Sequence, residues 1–86
     1  MNKEIQMKMF VFEDVLYDYT SGMALVVAGS LEEAQRLAFE EFRWSWDKKE
    51  TLETFLVREA GFTEATAVYE VGDVSPGVKQ HVYGGG

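Results

Sequence analysis

The chain has 86 residues, 47% of them hydrophobic, and fifteen carboxylates against eight lysines and arginines give a formal net charge of −7. This length predicts one domain around a single core, over residues 1–83, followed by a flexible glycine tail at 84–86. Because binding to a nucleic-acid backbone relies on clustered cations, the charge argues against direct nucleic-acid binding, and the absence of cysteine excludes disulfides, thiolate nucleophiles and cysteine zinc sites.

The beginning of the chain predicts a strand. In residues 5–12 apolar side chains alternate and then occupy both faces, which is typical of a strand that enters a core. Glu13 and Asp14 interrupt it, and since two adjacent carboxylates cannot both face apolar neighbours, we expect a bulge or bend there. Extended character resumes over residues 15–19.

A second strand follows a predicted turn. Thr20, Ser21 and Gly22 have the chemistry of a turn, and residues 23–28 form an uninterrupted apolar run. We therefore expect an antiparallel hairpin whose second strand is central in the sheet.

An amphipathic helix begins at Ser30. Ser30 and Glu33 have the spacing of a capping box, in which the hydroxyl accepts from the Glu33 amide and the carboxylate reaches back to the Ser30 amide. At 100° per residue the apolar side chains fall on one arc and the charged ones opposite. The apolar arc comprises Leu31, Ala34, Leu37, Ala38 and Phe42, with Phe39 on its flank.

The end of this helix is harder to place, because no glycine or proline occurs from Ser30 to Ala60. A single helix of that length would span ~45 Å, whereas a globule of this size is roughly 30 Å across. We therefore predict a break at residues 45–48, with Asp47 and Glu50 as a second capping box. The second helix would run to Ala60 and end at a left-handed Gly61, with Phe62 against Val57.

Two further strands complete the predicted fold. Residues 65–71 alternate with period two, a loop with the only proline follows, and residues 78–83 form a short strand whose polar members suggest an edge. The order β-β-α-(α)-β-β predicts an α+β domain, an antiparallel sheet packed on one helical layer.

No sequence motif for catalysis is found. His81 is the only imidazole, and no local pattern supplies a nucleophile or an orienting carboxylate, so a surface histidine on a strand is the expectation. Glu13, Asp14 and Asp18 lie near the predicted bend, and hard cations favour such oxygens, but the fixed spacing of a calcium loop is missing. We predict a protein that is not an enzyme and has no cofactor or metal, with those carboxylates facing solvent or a partner.

Two groups of side chains are candidate partner-binding residues. The first combines acids and aromatics near the hairpin tip: Glu13, Asp14, Tyr17, Asp18 and Tyr19. The second lies around the end of the first helix: Glu40, Arg43, Trp44 and Trp46. Tryptophan, tyrosine and arginine dominate interface hot spots. Trp44 is either a lid over the core or an anchor for a partner.

Parts of the chain resemble small uncharacterised acidic proteins of phages and prophages. The resemblance covers residues 9–24 (MFVFEDVLYDYTSGMA), residues 30–34 (SLEEA) and the terminal VYGGG. Small acidic domains of mobile elements are often inhibitors of host defence, the anti-CRISPR proteins among them, which occupy a surface that would otherwise grip nucleic acid. The resemblance carries no motif from which functional residues can be transferred.

These observations lead to two functional expectations. The first is a phage-encoded, anti-CRISPR-like inhibitor in the host cytoplasm, which blocks a basic nucleic-acid-binding surface of a host protein or nucleoprotein complex without contacting nucleic acid or membrane. No apolar run approaches the ~18 residues of a membrane span. The alternative is a small structural or regulatory module that self-associates, for instance as a homodimer, through its C-terminal edge strand.

Overall fold

The computed structural model describes residues 6–18, 20–43 and 48–82. They form a four-stranded antiparallel sheet with two helices and a 3-10 turn, which confirms the predicted α+β class and the order β-β-α-α-β-β. The elements are β1 (Met7–Asp18), β2 (Thr20–Ala28), α1 (Leu31–Phe42), α2 (Leu52–Arg58), the 3-10 turn (Ala60–Thr63), β3 (Ala67–Gly72) and β4 (Gly77–Val82).

The strand order is β3-β1-β2-β4, so the hairpin is central and both C-terminal strands are edges. The predictions of a central second strand and an edge fourth strand are therefore confirmed. Phe10 lies opposite Val26 and Phe12 opposite Ala24. Because side chains alternate across a strand, these four residues share the face that carries the helices, and all are buried.

The predicted irregularity at Glu13 and Asp14 is confirmed. The β1–β2 register shifts between Glu13 and Val15, and both Asp14 and Leu16 have a positive φ, at 59° and 55°. The bulge turns both carboxylates to solvent, while Val15 and Leu16 are buried in the core. The residue inserted between Glu13 and Val15 resolves the conflict between adjacent acids and an apolar strand, and a second register shift follows between Val15 and Asp18.

The predicted turn at residues 20–22 is wrong. Thr20 pairs with Asp18, and Gly22 pairs with Val15, so these residues belong to β2 and the hairpin is longer than expected. Ladder hydrogen bonds to β1 override the local preference of serine, threonine and glycine for turns.

Helix α1 begins as predicted. The Ser30 hydroxyl accepts from the Glu33 amide at 3.2 Å, and the Glu33 carboxylate accepts from the Gly29 amide at 2.7 Å, one residue earlier than expected. Ala34, Ala38 and Phe42 are buried, so the apolar arc faces the sheet.

Helix α2 does not begin at the predicted capping box. Its N-cap is Thr51, which forms a reciprocal box with Thr54. Glu50 precedes the helix, and its carboxylate accepts two hydrogen bonds from Arg58 instead of capping. The pairing with arginine eight residues later is a tertiary contact that local spacing cannot reveal.

The predicted end of the second helix is also wrong. Helix α2 ends at Arg58, and Gly61 lies in the 3-10 turn; the glycines with positive φ in the described ranges are Gly72 and Gly77. Phe62 is fully buried, whereas its expected partner Val57 is 81% exposed. Gly61 is required for close packing against β1, as described below, rather than for a left-handed helix cap.

A cluster of phenylalanine rings joins the two layers. The ring centre of Phe62 lies 4.9 Å from the ring centre of Phe12 on β1, 5.5 Å from that of Phe55 on α2 and 6.0 Å from that of Phe42 on α1. Aromatic pairs at these separations add to the stabilisation from burial. None of the helices in the described ranges is long and apolar enough to cross a membrane.

Candidate partner-binding surface

A buried carboxylate supports the bulge of β1. Glu59, at the end of α2, accepts a hydrogen bond from the Leu16 amide at 2.8 Å. Both residues are buried. The bulge turns the Leu16 amide away from the regular ladder, and a buried amide without an acceptor is costly. Glu59 supplies that acceptor, so the unusual backbone of β1 depends on α2.

Arg58 links this carboxylate to a second one. Its guanidinium donates to Glu50 through Nε at 2.8 Å and Nη2 at 3.0 Å, and Nη1 lies 3.5 Å from Glu59. The guanidinium carbon also stands 5.2 Å from the centre of the Phe55 ring. The fork geometry of arginine suits such bidentate pairing, so one cation orients two buried acids.

Gly61 presses against the same bulge. A Cβ atom at this position would lie 2.5 Å from the Asp14 carbonyl oxygen, 2.6 Å from Val15 Cγ1 and 2.8 Å from the Glu13 carbonyl oxygen. No side chain fits there, because two of the three neighbours are backbone atoms. The 3-10 turn and the bulge are therefore in direct backbone contact, and glycine is required for it.

The exposed side of this contact is acidic and concave. Glu13, Asp14 and Glu64 line a surface hollow of about 260 Å³ together with Thr63 and Thr66. Glu13 and Asp14 also line a second hollow of about 400 Å³ with Met23 and Val82. We call the exposed carboxylates of Glu13, Asp14 and Glu64 the acidic bulge surface. Its acids project from a backbone that Glu59 and Gly61 hold in place.

The second predicted group lies partly at the same end of the molecule. The ring centre of Phe42, at the end of α1, lies 5.0 Å from that of His81. His81 pairs with Ala24 on β2, and Ala24 lies opposite Phe12 on β1. The last turn of α1 therefore lies near the bulge end of the sheet. Glu40 and Arg43 are exposed there, with the Arg43 guanidinium 5.0 Å from the centre of the Phe39 ring.

The remaining predicted residues lie at the end of β1 or outside the described residues. Tyr17 and Asp18 are the last residues of β1. Tyr19, Trp44 and Trp46 lie outside the described residues, so the choice between lid and anchor for Trp44 stays open. Among the residues that the structure describes, no three histidines or carboxylates form a group that could hold a metal ion.

Comparison of the chain with protein-family models, curated proteins and solved structures finds no match. The surface is therefore interpreted from its own chemistry.

The sequence pointed to Glu13 and Asp14, predicted capping roles for Glu50 and Gly61, and gave no signal for Arg58, Glu59 and Glu64. The first two were found because adjacent acids inside an apolar strand are a local conflict. The signal for Gly61 was present but ambiguous, because a glycine after a helix indicates either a cap or a close approach. Glu59 contacts a residue 43 positions away, and no local pattern marks that pair.

The hydrogen bond from Leu16 to Glu59 yields a first prediction. We expect Glu59→Ala to lower the free energy of unfolding by about 1–3 kcal/mol, because it leaves a buried amide without an acceptor. Glu59→Gln keeps an acceptor oxygen and should cost less. Chemical denaturation monitored by circular dichroism measures both, with exposed Glu53→Ala as the control. Equal stability of the alanine variant and the control would contradict the supporting role of Glu59.

Proposed function

We propose that this protein is a non-enzymatic binding protein that inhibits a nucleic-acid-binding partner, in the manner of a phage-encoded anti-CRISPR protein. The observation that carries the proposal is the acidic bulge surface: Glu13 and Asp14 stand on a backbone fixed by Glu59 and Gly61, beside Glu64. The resemblance of the sequence to small acidic phage proteins supports the same class.

Exposed carboxylates suit this task because they compete for the cations that a nucleic-acid-binding protein presents to phosphates. Opposite unit charges 4 Å apart attract by about 1 kcal/mol in bulk water and about 4 kcal/mol near a protein surface. The net charge of −7 adds long-range attraction, which raises the rate of encounter with a basic groove. A preorganised backbone avoids the entropy cost of ordering a loop on binding.

The proposal predicts that inhibition depends on where charge is removed and not only on how much. The bulge variant Glu13→Gln, Asp14→Asn, Glu64→Gln raises the net charge by three, from −7 to −4. Asparagine is chosen at position 14 because it tolerates the positive φ there. The control Glu32→Gln, Glu41→Gln, Glu53→Gln removes the same charge from exposed positions on the two helices.

The measurement is a plaque assay with a phage that the host CRISPR system targets, across a panel of effector types. Cells that express the wild-type protein should support plaques with at least one effector type. The bulge variant should lose at least ~10-fold in plating efficiency, as expected for ~1.4 kcal/mol of lost binding, while the control keeps most of it. Equal loss in the two variants would contradict a specific role for the bulge, and no rescue in any system would contradict the anti-CRISPR class.

A further inference from the structure

The two edges of the sheet differ in how they are protected. Strand β4 carries a bulge at Lys79, because Leu25 pairs with Gln80 and Val26 with Val78. Helix α1 packs against β4 through Phe42 and His81. Bulges, edge lysines and covering helices all hinder the addition of a further strand. These features disfavour self-association through β4. Such self-association was the alternative function expected from the sequence, and it remains a prediction.

Within the part of the chain that the structure describes, no bulge, lysine or helix protects residues 67–70 of strand β3. Ala67 to Glu70 pair in regular register with Val11 to Lys8, and the nearest irregularity is at the end of the strand. The helical layer packs over β1, β2 and β4. Val68 and Tyr69 point to opposite faces of the sheet and are 48% and 54% exposed. The outer edge of β3 is therefore a regular strand with apolar side chains accessible on both faces.

The charges around β3 indicate what kind of segment fits. Glu64 precedes the strand, Glu70 lies within it and Asp73 follows it, and all three are exposed. Lys8, which pairs with Glu70, is the cation on the neighbouring strand. A second copy of this chain would bring its own three carboxylates to the same edge, and like charges on paired strands are destabilising. A segment with positive charges would be attracted instead.

We propose that β3 binds an extended, basic segment of a partner protein as a fifth strand of the sheet. Backbone hydrogen bonds to the β3 edge would supply affinity, and the surrounding carboxylates would select lysine and arginine side chains. Because side chains alternate along a strand, apolar side chains of the segment would cover Tyr69 on one face, while its cations would lie beside Glu70 on the other. This inference rests on the proposed protein-binding function and names the partner structure that the β3 edge recognises.

A synthetic peptide tests the proposal with purified protein. The probe is an acetylated and amidated octapeptide of alternating lysine and valine, and its binding is followed by titration of the protein's amide chemical shifts. We expect the largest shift changes and slowed amide exchange in β1 and β3, at Lys8 to Val11 and Ala67 to Glu70. The same peptide with N-methyl groups on alternate amides keeps its charge but cannot pair as a strand, and it should bind at least ~10-fold more weakly, a loss of ~1.4 kcal/mol.

A matched pair of variants locates the site. Tyr69→Lys places a cation on the β3 edge and should weaken binding of the lysine-valine peptide about tenfold. Val82→Lys places the same charge on β4, at a residue that is 53% exposed against 54% for Tyr69, and should leave shift changes at β3 in place. Folding of both variants is checked by the dispersion of their amide spectra.

Three results would overturn the proposal. They are equal binding of the N-methylated peptide, shift changes confined to β4 or to Glu13 and Asp14, and a dimer that Tyr69→Lys dissociates, which would assign the edge to a second copy. Its failure is distinguishable from failure of the proposed function. Loss of peptide binding alone leaves the plaque-assay result intact, and equal loss of plaque rescue in the bulge and control variants leaves peptide binding intact.

Discussion

Replacing Phe62 by alanine is expected to lower the free energy of unfolding by about 3–5 kcal/mol, the usual cost of removing a buried phenylalanine. Phe62 is fully buried and contacts rings from β1, α1 and α2, so its removal leaves a cavity where the three elements meet. A domain of this size is typically stable by only about 4–13 kcal/mol. The substitution should therefore remove a large fraction of the domain's stability.

Urea denaturation followed by circular dichroism measures this loss as a lower midpoint. Phe62→Leu, which conserves most of the volume, should cost less than about 1.5 kcal/mol. Val57→Ala is the control for loss of apolar surface, because Val57 is 81% exposed and should tolerate truncation. A loss below about 1 kcal/mol for Phe62→Ala would mean that the 3-10 turn does not close the core.

Much of the fold could be predicted because its signals are local. The Ser30 cap and the 3.6-residue period of α1 lie within one stretch of chain and agree with the tertiary packing of Ala34 and Ala38. The same holds for the bulge at Asp14, where the sequence itself presents the conflict that the backbone resolves. The element order then restricts the fold to a sheet with one helical layer.

Errors arose where a tertiary contact competed with a local preference. Glu50 has the spacing of a cap but pairs with Arg58, and Gly61 has the position of a cap but packs against β1. Thr20 and Gly22 favour turns but pair with β1. In each case two outcomes are locally acceptable, and a contact with another part of the fold decides between them.

The candidate site likewise combines residues that the sequence predicts with residues that only the tertiary structure brings together. Glu13 and Asp14 could be picked out from the sequence, but the support of their backbone could not, because it comes from Glu59 and Gly61, which lie more than 40 residues further along the chain. Glu64 joins them only through the fold, since the 3-10 turn brings it to the bulge. An acidic composition predicts attraction to cations, whereas a shaped acidic surface requires the tertiary structure.

Gly61→Ala tests the support of this surface directly. The added methyl group would meet the carbonyl oxygens of Asp14 and Glu13 at 2.5 Å and 2.8 Å, so the 3-10 turn must move away from β1. Overpacking of this kind typically costs about 1–3 kcal/mol, which corresponds to a fall in Tm of roughly 4–8 °C per kcal/mol in a domain of this size. Differential scanning calorimetry measures the shift.

Gly29→Ala is the matched control for this substitution. Its methyl group would lie 3.3 Å from Glu33 Oε1, which accepts from the Gly29 amide but ends a flexible side chain, so its Tm should fall much less than that of Gly61→Ala. Amide spectra should show the Gly61→Ala perturbation at residues 13–16 and leave the start of α1 unchanged. If the two variants were equally stable, the 3-10 turn would not be pressed against the bulge. The carboxylates of Glu13 and Asp14 would then lack the rigid backing on which their proposed role in binding depends.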